Sequence, residues 1–341
     1  MLEVAVVIAA HRNYATLELC LNGFLGCVDK PQDIIFVDNG SGGLLVDCLV
    51  RKYSDITLIS LPENRNFCGG FNAGIRVAIA RDYKYVLIVN ADTEVYNRNF
   101  LSALVTVMKR NQDVAFLGPK VFFRSTKNIQ NTIFNFPTLH SFVINWFLYR
   151  LYPRILNKSD NTERIVDVLN GVCVLCRIDA LKEVGLMDEV FGAYVEDTDW
   201  AWRANRLRWH SMYTPVESII HHEEPSGYEQ YSMKTFLLKR NFVFWFLKTD
   251  QVLIAYVYAY AALVLSLFRR GLATSKFRQR YDGFHEQLYR AFKGLLQRKA
   301  LGPWFGAPLD IPGYGELLIH HRDSQAQKVP YLDDSSDSRL K

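Results

Sequence analysis

The stretch Tyr85-Val86-Leu87-Ile88-Val89-Asn90-Ala91-Asp92 decides the fold of this chain. Its first five residues are almost entirely apolar and lack polar alternation, which predicts a strand buried on both faces of a sheet. A carboxylate follows the strand end at Asp92. Ligands of parallel α/β sheets bind outside the carboxyl ends of the strands. The stretch therefore predicts an α/β fold with a polar site at this end of the sheet.

Apolar runs and helical patterns alternate before this stretch. The predicted strands cover residues 4–10, 34–37 and 57–60, and the predicted helices cover residues 16–25, 44–52 and 71–81. Short strands separated by helices form βαβ units and a mostly parallel sheet. Polar segments follow three of the strands and are expected at one crevice: His11-Arg12-Asn13, Asp38-Asn39-Gly40-Ser41 and Asn90-Ala91-Asp92.

The composition is that of a globular protein with a high aromatic content. Of 341 residues, 49% are apolar and 22% are charged, so the chain can bury one large core. The formal net charge of +5 is modest, and no long block of Lys and Arg occurs, so we expect no nucleic-acid partner. Aromatic residues make up 13%, which is high. Sugar binding, contact with a membrane interface or a large aromatic core would each explain this content.

The cysteines indicate buried thiols in a reducing compartment. Of six cysteines only Cys173 and Cys176 form a C-x-x-C pair, and no second pair stands at zinc spacing. The pair lies in an apolar run, which favours buried thiols over a metal or redox site. The chain opens on a strand-like run without a basic segment and cleavage site, so we expect no signal peptide and a cytoplasmic location.

Two segments beyond residue 114 leave alternatives open. A strand is predicted at 116–123, and the aromatic segment 140–152 fits acceptor contacts, a membrane surface or a helix packed on the core. Residues 251–268 carry no charge and precede Arg269-Arg270, so this segment fits a helix on the membrane, a membrane span or a buried hairpin. The polar tail from Arg322 is predicted to be disordered. We expect an α/β domain at 1–240, an apolar helical region at 241–300 and a tail at 301–341.

A second acidic segment, Glu196-Asp197-Thr198-Asp199-Trp200, suggests catalysis. Three carboxylates in four residues repel one another, which favours a bound cation or proton-transfer chemistry. A carboxylate here is a candidate base for a sugar hydroxyl, which is a poor nucleophile at neutral pH. An acid-rich helix start that suits the helix dipole is the structural alternative.

Three further candidates lie at predicted strand and helix ends. Asp38 suits a nucleobase or ribose hydroxyl, although Asp-Asn-Gly-Ser also has the chemistry of a turn. Gly69 and Gly70 would let the backbone approach a phosphate before a helix, or would make a tight turn. Asp92 suits Mg²⁺ or Mn²⁺, and His222 could add an imidazole ligand unless it is an ordinary surface histidine.

The ordered set of these motifs resembles the inverting glycosyltransferases of family 2, which have the GT-A fold. The resemblance covers about residues 4–245. It is carried by Val37-Asp38-Asn39-Gly40-Ser41, Leu87-Ile88-Val89-Asn90-Ala91-Asp92 and Glu196-Asp197-Thr198-Asp199-Trp200, and by segments 6–13, 64–74, 171–177, 184–191 and 222–226. The subgroup is rhamnosyltransferase-like and galactofuranosyltransferase-like, and it builds bacterial cell-surface polysaccharide.

The resemblance implies a role for each matching position. Asp197, with Glu196 beside it, would be the catalytic base, and Asp92 and His222 would bind a divalent metal, Mg²⁺ or Mn²⁺. Acceptor contacts are implied for Trp200, Asp199 and Gly171. Donor contacts are implied for Ala10, Arg12, Asp38, Asn39, Arg65, Asn66, Gly69, Gly70, Asn72, Asn90, Ala91 and Asp92. The family's D-x-D motif reads Asn90-Ala91-Asp92 here, so one carboxylate is missing, and His11-Arg12 replaces the usual Asn-Tyr.

The implied activity is transfer of a sugar from a nucleotide-diphosphate sugar to a hydroxyl of a saccharide or lipid-linked saccharide. The implied place is the inner face of the membrane, with peripheral membrane contact. Two rivals are a sugar-phosphate nucleotidyltransferase, for which Ala9-Ala10-His11-Arg12 lacks the glycines, and a non-catalytic sugar- or membrane-binding scaffold. Arg208-Trp209 follows Asp197 too closely to be the Q-x-x-R-W motif of a processive synthase.

Overall fold

The computed structural model describes residues 3–12, 16–41, 51–137, 159–222, 228–272 and 288–296. The strands are β1 Val4–Ala10, β2 Ile34–Asp38, β3 Thr57–Ser60, β4 Tyr85–Asn90, β5 Thr93–Glu94, β6 Val114–Phe123, β7 Ile129–Gln130, β8 Ile133–Phe134, β9 Arg164–Val166, β10 Val168–Leu169, β11 Cys173–Arg177 and β12 His210–His221. The helices are α1 Leu17–Leu25, α2 Asn66–Ala80, α3 Phe100–Arg110, α4 Ile178–Val184, α5 Glu196–Arg206, α6 Tyr228–Lys248, α7 Val252–Leu272 and α8 at 288–296.

A mixed sheet in the order β3-β2-β1-β4-β11-β6-β12-β5 forms the centre of the fold. β1 is parallel to both β2 and β4, and β2 is parallel to β3. β11 lies antiparallel between β4 and β6, and β12 is parallel to β6. The register pairs Ala10 with Asp38 and Ala9 with Asn90, so the predicted polar segments meet at one end of the sheet. The α/β prediction is confirmed.

Both faces of the sheet are covered, which explains the unbroken apolar runs. Alternate residues point to opposite faces of a strand. Val7 and Ile88 pack on one face with α2, α5 and α6, whereas Val6 and Leu87 pack on the other with α1 and α3. All four side chains are almost wholly buried. The strands predicted at 4–10 and 57–60 match β1 and β3, and β2 and β4 each extend one residue beyond the prediction.

The start of α2 differs from the prediction. The helix begins at Asn66 rather than at residue 71, so Gly69 and Gly70 lie inside its first turns and not in a loop before it. Asn39 holds this start, because its amide oxygen accepts from Arg65 N at 2.9 Å and its amide nitrogen donates to Asn66 O at 2.7 Å. A Cβ on Gly70 would lie 2.8 Å from the same amide nitrogen. Tertiary packing therefore requires glycine here, within a helix.

The described cysteines are free and buried, as predicted. Cys173 and Cys176 lie on β11 within the core. Burial raises the pKa of the Cys20 thiol to about 12 and raises that of Cys176 further. A thiol with so high a pKa is not an effective nucleophile or metal ligand. The C-x-x-C pair is therefore part of the packing.

Helices α6 and α7 form a hairpin that packs on the core. The rings of Phe242 and Phe246 lie 5.8 and 5.9 Å from that of Tyr258, and Trp245 meets Trp202 of α5 at 6.3 Å. The predicted division at residue 240 falls inside α6. No helix in the described ranges is long and apolar enough to cross a membrane. The helix predicted at 44–52, except Arg51 and Lys52, the segment 140–152 and the tail from 322 lie outside the described residues.

Candidate active site

The ends of β1 and β2 are tied together by short polar contacts. Asp38 is 1% exposed, and its Oδ1 accepts from Ser41 N at 3.0 Å. His11 Nδ1 lies 2.9 Å from Asn39 O, and Arg12 N donates to Ser41 Oγ at 3.0 Å. The carboxylate of Asp38 closes a turn, and it also stands at the carboxyl end of a central strand. The predicted turn and the predicted contact with a nucleobase or ribose therefore do not exclude each other.

Arg65 and Asn72 are joined to one carboxylate, that of Glu189. Arg65 Nη2 lies 2.8 Å from Glu189 Oε2, and Asn72 Nδ2 donates to Glu189 Oε1 at 3.0 Å. Asn72 is 1% exposed and also exchanges two hydrogen bonds with the backbone of Met187. Its amide is thus occupied inside the core, so the structure corrects the predicted donor contact of Asn72 to a packing role. Gly69 and Gly70 are buried in the first turns of α2, and the donor contact predicted for them stays a prediction.

The side chain that contacts Asp92 is His221, not His222. His221 Nε2 lies 3.2 Å from Asp92 Oδ1, and its Nδ1 lies 2.9 Å from Gln130 Oε1. His222 turns to Glu94, with Nε2 2.9 Å from Oε2. Successive strand residues point to opposite faces, and β12 ends at His221, so the two imidazoles separate. In the structure the side chain of Asp92 therefore pairs with His221, and the metal contact predicted for His222 stays a prediction.

The chemistry of the Asp92–His221 pair fits a divalent cation that also binds substrate. Mg²⁺ sites commonly use only one or two carboxylates and complete their coordination with phosphate and water oxygens. Within the described ranges no cluster of three or more His, Cys, Asp or Glu side chains is arranged to hold a metal. Two protein ligands are therefore the most that this pair offers, and substrate oxygens would supply the others.

Glu196 and Asp197 lie side by side at the start of α5 on a strained backbone. Tyr194 and Val195 precede them with φ of 68° and 72°, in the left-handed region that is costly for such residues. Asp197 Oδ1 accepts from Thr198 N at 2.7 Å. Glu196 is 5% exposed, and none of the described residues donates to its Oε2. The backbone thus presents two adjacent carboxyl groups where water has little access.

Burial shifts the titration of both carboxyl groups. It raises the pKa of Asp197 to about 6, although the hydrogen bonds from Thr198 oppose the shift. It raises the pKa of Glu196 well above the ordinary value, and the charge of Asp197 adds to the effect. Two adjacent carboxyl groups in a poorly solvated site do not readily carry two charges. At neutral pH we therefore expect Asp197 to be mostly ionised, and of the two groups Glu196 holds its proton more strongly.

A pocket with largely apolar walls lies against this acid pair. Its lining includes Phe67 from α2, Gly171 from the turn before β11 and Trp200 from α5, together with Glu196 and Asp197. A Cβ on Gly171 would approach the Phe67 ring to 2.9 Å, so glycine keeps this wall in place. The structure brings together four of the predicted residues, Glu196, Asp197, Trp200 and Gly171.

Asp199 faces away from the pocket into an ion-pair network. It is 0% exposed, and its oxygens lie 2.8 Å from Arg203 Nε and 2.9 Å from Lys248 Nζ. Lys248 also pairs with Asp188 at 2.7 Å. The acceptor contact predicted for Asp199 is therefore corrected to a structural role, since two cations hold it inside the protein.

Asn241 of α6 is a site residue that the sequence analysis missed. Its side chain is 0% exposed, and Nδ2 lies within 2.9 Å of the carbonyl oxygens of Phe191, Ala193 and Tyr194. These carbonyls belong to the segment that enters α5 through the strained residue Val195. A lone amide inside an apolar helical run is the only sequence signal of this contact. Asn241 therefore fixes the backbone that presents the acid pair.

Comparison with known proteins agrees with this geometry. The model of glycosyl transferase family 2 matches residues 5–185. An N-acetylglucosaminyl-diphospho-decaprenol L-rhamnosyltransferase of Mycobacterium tuberculosis is 24% identical over 62% of this chain and 73% of its own length. The rhamnosyltransferase WbbL of Escherichia coli is 24% identical over 64% of this chain and 83% of its own length. A hexosyltransferase of low-salt glycan biosynthesis from Haloferax volcanii is 24% identical over 58% of this chain and 61% of its own length.

Two solved structures share the fold. The mannosyltransferase PcManGT of Pyrobaculum calidifontis, in complex with GDP-Man and Mn²⁺, aligns with a TM-score of 0.51 at 16% identity. The alignment covers 87% of this chain and 84% of that one. GalNAc-T7 with UDP, GalNAc and Mn²⁺ aligns with a TM-score of 0.52 at 13% identity, over 87% of this chain and 56% of that one. The sheet order and these alignments identify the GT-A fold.

Replacement of Asn241 by alanine tests the anchor that it provides. The Asn241→Ala variant should lower the free energy of unfolding by about 1–3 kcal/mol, because buried carbonyl groups lose their donor. Urea denaturation followed by tryptophan fluorescence measures the change. Asn205 is exposed near the end of α5, so Asn205→Ala is the matched control and should stay within about 0.5 kcal/mol. Equal stability of the two variants would contradict the assigned role.

Proposed function

Because this chain belongs to glycosyl transferase family 2 and is a glycosyltransferase, we propose that it transfers a sugar with inversion at the anomeric carbon. The donor is a nucleotide-diphosphate sugar, and the acceptor is a hydroxyl of a saccharide or lipid-linked saccharide. The observation that supports this most strongly is the acid pair, Glu196 and Asp197, against a pocket on one face of the sheet. The family assignment argues against both a nucleotidyltransferase and a non-catalytic scaffold.

Asp197 is proposed as the general base. The acceptor oxygen attacks the anomeric carbon, its proton passes to Asp197, and the bond from that carbon to the diphosphate oxygen breaks with its electron pair. A pKa of about 6 leaves Asp197 ionised at neutral pH, yet more basic than an ordinary aspartate. Such a positioned base contributes roughly 10²–10⁴-fold to the rate. Glu196 beside it holds its proton more strongly, which limits the negative charge at the site.

The donor is proposed to lie across the ends of β1, β2 and β4. Asp38 and Asn39 suit the nucleobase and ribose, and Arg12 stands beside them on the loop after β1. The backbone at Ala10, Asn90 and Ala91 borders the same crevice. Arg65 and Asn66, at the start of α2, are proposed to face the diphosphate, although Arg65 is already paired with Glu189. A bound diphosphate would therefore compete with Glu189 for this guanidinium group.

Asp92 and His221 are proposed to hold a divalent cation at the diphosphate. Both fold relatives named above contain Mn²⁺ in their solved complexes, which supports the choice of Mn²⁺ or Mg²⁺. Gln130 contacts Nδ1 of His221, which leaves Nε2 directed toward Asp92. When bound, such a cation neutralises charge on the leaving group, an effect worth several kcal/mol.

The names of the sequence relatives narrow the proposed substrates. Two of them are rhamnosyltransferases, one of which acts on a diphospho-decaprenol-linked sugar, and a third is a hexosyltransferase of glycan biosynthesis. We therefore infer a hexosyl or deoxyhexosyl donor and a role in bacterial cell-surface polysaccharide synthesis. A lipid-linked acceptor would place the enzyme at the inner face of the membrane. A screen of nucleotide sugars for slow donor hydrolysis, measured by mass spectrometry, would identify the donor.

Replacement of Asp197 by asparagine tests the proposed base. The Asp197→Asn variant should lower the transfer rate by roughly 10²–10⁴-fold, because the amide accepts no proton, while nucleotide affinity is unchanged. Product is measured by mass spectrometry and nucleotide binding by calorimetry. The control is Asp179→Asn on α4, where the carboxylate is 80% exposed and far from the acid pair in sequence. Full turnover by Asp197→Asn would contradict the assignment of Asp197 as the general base.

Chelation tests the proposed cation site. EDTA should abolish transfer, and added Mn²⁺ or Mg²⁺ should restore it, because the diphosphate then regains its counter-charge. The His221→Ala variant should raise the metal concentration needed for half-maximal activity at least tenfold, in the range expected for loss of a metal-site interaction. His222→Ala is the matched control and should raise this metal concentration less, since His222 contacts Glu94. Activity that persists in EDTA would rule out the cation, and a larger effect at His222 would rule out His221.

A further inference from the structure

The outer side of α7 is an apolar surface within the described part of the chain. Its members, here called the α7 outer face, are exposed between 43% and 76%. They are Leu253, Tyr256, Val257, Tyr260, Val264 and Leu267. Their spacing of mostly three or four residues places them on one side of the helix. The face is continuous from Leu253 to Leu267, so it differs from the scattered apolar residues found on every protein surface.

The inner side of the same helix explains why this face points outward. Ala255, Ala259 and Ala262 are almost wholly buried in the core. Their small side chains let α7 approach α6 closely, while larger residues fill the opposite side. The aromatic contacts of Tyr258 with Phe242 and Phe246 fix the rotation of α7 about its axis. The orientation of the outer face is therefore set by the core.

The charge pattern around α7 indicates what covers this face. Residues 251–281 contain five basic residues, Arg269, Arg270, Lys276, Arg278 and Arg280, and no acidic residue. An apolar helix side followed in sequence by basic residues complements a lipid surface with anionic headgroups, where each Lys or Arg near the surface contributes about 1 kcal/mol. Tyrosines such as Tyr256 and Tyr260 suit the boundary between headgroups and acyl chains, because the ring is apolar and the hydroxyl is polar.

We propose that the α7 outer face binds the surface of a membrane that contains anionic lipid, with α7 parallel to the membrane plane. Amphipathic helices bind in this way with the apolar side at the acyl boundary. The inference rests on the proposed function in one respect, because membrane binding would give the enzyme access to a lipid-linked acceptor. Because Asn241 and Lys248 of α6 contact the segment around the acid pair, the active site keeps a fixed relation to the lipid surface.

Flotation with lipid vesicles tests the proposal on the full chain without donor or acceptor. The protein should float with vesicles of phosphatidylcholine mixed with phosphatidylglycerol, and much less with phosphatidylcholine alone. The double variant Leu253→Gln/Tyr260→Gln should lower the partition coefficient by roughly tenfold or more, since two large apolar contacts are lost. The control is Ile165→Gln/Leu207→Gln. These two residues are each 49% exposed and lie outside α7.

Several results would overturn the proposal. They are absence of flotation, equal flotation with both vesicle types, or unchanged flotation of the double variant. A dimer in gel filtration that the double variant dissociates would instead assign the face to a second copy of the chain. Transfer to a water-soluble acceptor is measured in parallel and should be unchanged in the double variant. Loss of flotation with normal transfer thus separates this inference from the proposed function.

Discussion

The burial of two adjacent carboxyl groups is the constraint on which this site depends. Glu196 and Asp197 lie where water cannot easily solvate two charges, so one group keeps its proton and the other becomes a stronger base. The fold sustains this arrangement from outside the pocket. Asn241 holds the strained segment before Val195, and Lys248 with Arg203 neutralises Asp199 on the opposite side of α5. The C-terminal hairpin is thus part of the active-site framework.

The sheet divides the proposed chemistry between two sides. The ends of β1, β2 and β4 present Asp38 and Asp92 toward the donor and its diphosphate. The start of α5 presents Asp197 toward the acceptor, across the pocket that Gly171 and Trp200 line. The two acidic segments, distant in sequence, are therefore proposed to serve opposite ends of the bond that is exchanged. The single carboxylate of Asn90-Ala91-Asp92 is supplemented by the imidazole of His221 rather than by a second aspartate.

The central strands and the acid pair could be predicted from sequence because their signals are local. β1, β2 and β4 are buried on both faces, which leaves unbroken apolar runs with polar ends. The start of α2, the choice between His221 and His222, and the role of Asp199 depend on tertiary contacts. The direction of each side chain follows from where a strand ends or how a helix is rotated, which no local pattern specifies. Asn241 acts on a carbonyl 47 residues away, so its role became visible only in the structure.

The dependence of kcat/KM for the acceptor on pH tests the central claim most directly. Measured with saturating donor and metal, it should rise with unit slope below the pKa of Asp197 and level above it, because Asp197 must lose its proton to act as the base. Burial places that pKa at about 6 in the free protein, and the midpoint reports its value in the donor-bound enzyme. A profile that is flat between about pH 5 and pH 8 would contradict the account.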